Sequence, residues 1–81
     1  MAREEVSAAR LLSILNEKLA ESDLCEDCTF TGPIHRLMEP DEDGCNWDHL
    51  PALSCEGRST YRCAAWALWV VQEASNQYNL P

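Results

Sequence analysis

Apolar residues recur at helical spacing from about Glu4 to Glu21, where Ala8, Leu11, Leu12, Leu15 and Leu19 share one side and Arg10, Glu17, Lys18 and Glu21 lie largely on others. This pattern predicts an amphipathic first helix. Ser22 and Asp23 break it, and Leu24-Cys25-Glu26-Asp27-Cys28 follows as a tight turn. Phe30, the Gly32-Pro33 turn signal and the run Ile34-His35-Arg36-Leu37-Met38 predict a short strand or hairpin arm within residues 29–38. Glu39-Pro40-Asp41-Glu42-Asp43-Gly44 reads as a solvated acidic loop, and Cys45-Asn46-Trp47 as a brief returning strand.

The stretch from Asp48 to Ser54 contains Pro51 and reads as irregular, before Cys55-Glu56-Gly57 forms another turn. Ser59 or Thr60 is suited to cap a second helix from about Tyr61 to Asn76. Its interior, Cys63 to Val71, is apolar on nearly every side and so needs cover on more than one face. The first helix supplies one cover and the hairpin region another. A protein partner, or a second copy in a homodimer formed through this helix, would take the remainder. Trp66 and Trp69 lie three apart on adjacent parts of one face. One of them is expected in the core against Leu12, Leu15 and Leu19. The other is left open between core and a binding surface that Tyr61, Arg58 and Arg62 would help anchor.

These elements make an α+β fold. A chain of 81 residues has room for one domain, residues 1–81, and its limited core calls for a staple. Six Lys and Arg against fourteen Asp and Glu give a formal charge of −8. That balance disfavours nucleic acid, whose affinity is built mainly from cationic contacts to phosphate, and disfavours anionic membranes. It suits a basic protein partner. No stretch is apolar enough for a signal peptide or a bilayer span, so the expected location is the cytoplasm.

In a reducing cytosol five cysteines point to metal rather than disulfides, and an odd number cannot pair completely. Cys25-x-x-Cys28 is the central signal, because two intervening residues let a turn aim both sulfurs at one tetrahedral ion. Cys63 is the first choice for a third ligand, since the opening turn of a helix favours a thiolate. Cys55 is the fourth, with Gly57 letting the backbone fold close, and Cys45 is the alternative to Cys55. His35 and His49 are weaker substitutes, as a lone His is more often a surface or hydrogen-bonded group. The expected cofactor is one structural Zn²⁺ held by Cys25, Cys28, Cys55 and Cys63. The order of knuckle, short β-hairpin, second turn and ligand-bearing helix from about Leu24 to Asn76 resembles treble-clef-like zinc domains.

Catalysis is not expected. Nothing marks a nucleophile–base pair or a phosphate loop, and a zinc closed by four protein ligands leaves no position for water. The reading that follows is a small acidic, zinc-stabilised protein-interaction or regulatory module. The alternative is a nucleic-acid-mimicking inhibitor of bacterial or phage type, in which Glu21, Asp23, Glu26, Asp27, Glu39, Asp41, Glu42 and Asp43 present charge to a basic groove.

Overall fold

The Ser7 hydroxyl accepts the Arg10 N–H at 3.1 Å and so satisfies one of the unpaired donors that open helix α1, Ala8–Leu19. The computed structural model describes residues 3–48, 51–56 and 59–81. His49, Gly57 and Arg58 lie outside the described residues, as do the side chains of Ser59, Thr60 and Tyr61. Leu11, Leu15 and Leu19, one turn apart, form the fully buried stripe of α1. The helix starts later than its apolar pattern suggests because Glu4–Glu5 is strand β1, lying parallel to the C-terminal end of the chain. Lys18 in the last turn complements the helix dipole and reaches Glu21 at 3.3 Å.

A single 3-10 turn, Asp23–Cys25, leads into strand β2, Cys28–Thr31, whose Cys28 and Phe30 point inward while Thr29 and Thr31 face out. Strand β3, Ala52–Cys55, pairs with it antiparallel, Cys28 opposite Cys55 and Phe30 opposite Leu53. The partner of the strand expected within residues 29–38 therefore comes from the stretch read as irregular, not from residues 45–47. The cause lies in α1. Asn16 accepts the Phe30 N–H at 2.7 Å and donates to the Phe30 carbonyl at 3.1 Å, closing one edge of β2 and leaving the other for β3. The returning strand expected at residues 45–47 is reduced to one bridge between Arg36 and Trp47, flanked by Leu37 N–H to the Asn46 carbonyl at 2.9 Å and Asp48 N–H to the His35 carbonyl at 2.8 Å. Gly44, at φ +89°, closes the acidic loop between these arms.

Helix α2, Ser59–Gln77, buries Cys63, Ala67, Val70, Val71 and Ala74, and strand β4, Tyr78–Asn79, follows to pair with β1. The wholly buried tryptophan is Trp47, whose indole N–H donates to the Tyr78 carbonyl at 2.9 Å. Trp66 packs at the edge of the core and donates its indole N–H to the Lys18 carbonyl at 3.1 Å, while Trp69 stays half exposed. Among the described residues no helix is long and apolar enough to cross a membrane.

The chain's end is fastened by side-chain amides. Asn46 donates to the Leu80 carbonyl and accepts the Leu80 N–H, each at 2.8 Å, and Asn79 donates to the Gly44 carbonyl at 3.0 Å. Asn46→Ala removes two of these bonds and leaves part-buried backbone groups without partners. It is expected to lower stability by about 2–3 kcal/mol in urea denaturation.

Candidate functional site

Four cysteines from four separate pieces of the chain meet beneath α2. Cys25 closes the 3-10 turn, placed by Ser22, whose hydroxyl accepts the Leu24 N–H at 3.3 Å. Cys28 opens β2 and Cys55 ends β3, and their strand register sets them directly opposite each other. The Glu56 N–H continues that pairing to the Asp27 carbonyl at 3.2 Å. Cys63 lies in the early part of α2 with its side chain fully enclosed.

The structure joins these residues as two disulfides, Cys25 to Cys63 and Cys28 to Cys55. The sulfurs of Cys28, Cys55 and Cys63 all lie within 4.8 Å of one another, so the two bridges form one cluster, close enough for three of its sulfurs to reach a single ion. Cys25, Cys28 and Cys63 are buried, and Cys55 is the partly open edge. Of the four expected zinc ligands, Cys28, Cys55 and Cys63 lie close enough to hold one ion, but all four cysteines are drawn into disulfides. The Cys-x-x-Cys turn sends its two sulfurs to different partners instead of to one metal. A sulfur in a disulfide carries no thiolate, the form that ligates zinc, so the pairing argues against zinc in this oxidised state.

No family model, curated protein or solved structure matches this chain.

Cys45, the alternative to Cys55, is buried and free, and it belongs to the acidic loop rather than to the cluster. Its thiol donates to the Trp47 carbonyl at 3.6 Å. Burial pushes the thiol pKa up, and Asp41 and Asp43 push the same way, against Arg3 and a Trp47 backbone interaction that favours the thiolate. In an unfolded chain this thiol ionises at lower pH than in the folded one. Between the two values the folded chain holds more protons, and its stability falls as pH rises. The stability that wild type holds over Cys45→Ala is therefore expected to shrink above about pH 8.5, read from urea midpoints across the alkaline range.

His35 is exposed on the connecting segment and stands apart from the cysteine cluster. The acidic surface is partly spoken for. Asp41 turns its carboxylate onto its own loop, accepting the N–H groups of Asp43 at 2.9 Å and Cys45 at 3.0 Å. Asp41, one of the acids of the charge-imitating reading, is thereby fixed in this turn.

Sequence reasoning passed over a groove between the helices. Trp66 and Trp69 stack with ring centroids 4.8 Å apart, and with Ile14, Val70, Glu21 and Glu73 they line a depression of about 140 Å³. Three-residue spacing of the tryptophans was the available signal. What hid the groove is that its other wall, Ile14 and Lys18, lies on α1, some fifty residues away in the chain.

Proposed function

We propose that this chain is a non-enzymatic protein-interaction module whose binding face is carried by α2 and whose shape is locked by the four-cysteine centre. The centre is disulfide-paired when oxidised and holds one structural Zn²⁺ when reduced. The observation that carries this reading is the meeting of the Cys25–Cys63 and Cys28–Cys55 bridges in one cluster, three of whose sulfurs lie within 4.8 Å of one another. A chain of 81 residues needs such a staple, and either chemistry supplies it.

The two states are related by a balanced exchange. Each disulfide takes two electrons from a reductant such as a phosphine and two protons from water, whose oxygen ends in the phosphine oxide, and yields two thiols. The four thiols then release four protons as their thiolates bind Zn²⁺. Four sulfur ligands close the coordination sphere, which suits a structural role and leaves no site for activated water. The partner is protein because the net charge of −8 repels phosphate backbones.

Native mass spectrometry tests the metal arm. The oxidised chain is expected to carry no metal. The chain reduced under anaerobic conditions is expected to take up one Zn²⁺ per polypeptide, and Co²⁺ in its place should show tetrahedral thiolate absorption. A reduced chain that stays folded and takes no metal would overturn the proposal.

A further inference from the structure

We infer that the outer face of α2 is built for a second copy of this chain, packed antiparallel across a twofold axis. The inference rests on the proposed module reading only in using α2 as the binding face, and it does not depend on which state the cysteines occupy.

The face is apolar and open. Ala65, Leu68 and Trp69 are exposed on it, Leu68 and Trp69 by 53% and 48%, fractions high for side chains of their size in a water-facing helix. From Cys63 to Gln72 there is no charged residue, in a chain whose charged fraction is 25%. Helix α2 contains one Arg and one Glu, so its net charge is zero and the −8 of the chain is carried entirely elsewhere. The general acidity that would keep copies apart is thus not carried by this helix.

The two charges that remain are placed for self-recognition. Arg62 and Glu73 are eleven residues apart, which on an α-helix is three turns, about 16 Å along the axis and about 20° around it. They therefore stand on one rim of the face at its two ends, with Leu68 on the opposite rim and Ala65, Trp69 and the uncharged, exposed Gln72 between. A twofold axis that runs the helices antiparallel keeps each rim against the same rim of the other copy. Arg62 then lies opposite Glu73 of the second copy and the reverse, while Leu68 meets its own counterpart near the axis.

This self-complementarity selects the occupant. A basic segment of another protein would find Glu73 attractive but Arg62 repulsive, whereas a second copy satisfies both. A standard interface covers about 800 Å² on each partner, close to one seventh of the 5604 Å² surface of this chain.

Sedimentation equilibrium on the oxidised full chain, with charge-swapped variants, tests the inference. Wild type is expected to be dimeric at about 100 µM, and Leu68→Glu to be monomeric at the same concentration with an unchanged circular-dichroism spectrum. Arg62→Glu and Glu73→Arg each place like charges opposite one another and are expected to weaken self-association on the order of tenfold. Mixed in equal amounts, the two variants should form a heterodimer at least as tight as wild type, because each mixed pair is again of opposite sign. A monomeric wild type would overturn the inference and leave the face to a different protein, and a mixture showing no preference for the heterodimer would overturn the antiparallel arrangement. Neither result bears on zinc uptake by the reduced chain, so this inference and the metal arm of the proposed function fail separately.

Discussion

Reduction of both disulfides in the presence of EDTA is expected to unfold the protein at 25 °C. Closing the Cys25–Cys63 loop, a separation of 38 residues, and the Cys28–Cys55 loop, a separation of 27, restricts the unfolded chain by about 4 and about 3.5 kcal/mol in the chain-entropy account. The second loop is nested within the first, so the two contributions do not add in full. Even one of them is large against the roughly 4–12 kcal/mol that a domain of this length holds in total. Loss of far-ultraviolet helical signal on adding reductant with chelator, compared with oxidised protein, is the measurement. Reductant with Zn²⁺ in place of chelator is expected to preserve that signal. An unchanged spectrum in reductant and EDTA would show that the apolar core suffices alone.

The second large effect is expected at Trp47. Its side chain is the largest that is wholly enclosed, and its indole N–H holds the Tyr78 carbonyl at the strand that closes the chain. Trp47→Ala opens a cavity the backbone cannot collapse into and strips that carbonyl of its donor. The cost is expected to be about 3–5 kcal/mol, enough to leave much of the protein unfolded at 37 °C. Trp69→Ala, on the exposed face, is expected to change stability by less than about 1 kcal/mol. Chemical denaturation of the pair separates core from surface, and equal effects would contradict the placement of the two rings.

The contrast between these tryptophans shows what the linear pattern reveals. Helices α1 and α2 are legible because their apolar residues repeat at a period that the backbone itself imposes, and Leu11, Leu15 and Leu19 fall on the core side as that period requires. Trp66 and Trp69 stand out for the same reason, being in a helix. Trp47 does not, because it sits beside acids and Asn46 in a segment with no period. Its burial comes from the docking of β4, a contact 31 residues distant in the chain.

The pairing of β2 with β3 was illegible on similar grounds. Asn16, a polar residue on the flank of an amphipathic helix, settles which edge of β2 stays free, and nothing local in the sequence marks that role. The meeting of Cys25, Cys28, Cys55 and Cys63 was legible from spacing and from the needs of a small core. The bonds within it were not. Spacing shows that sulfurs can converge, while their oxidation state follows from the electron supply around the protein, which no residue spells out.

Peptide mapping of the air-oxidised protein, digested without reductant after alkylation under native and then denaturing conditions, examines the four-cysteine centre at its root. Two cross-linked species are expected, one joining Cys25 to Cys63 and the other Cys28 to Cys55, with Cys45 alkylated only once the chain is unfolded. A bridge that includes Cys45, or one that joins Cys25 to Cys28 within the turn, would contradict the architecture described for this protein.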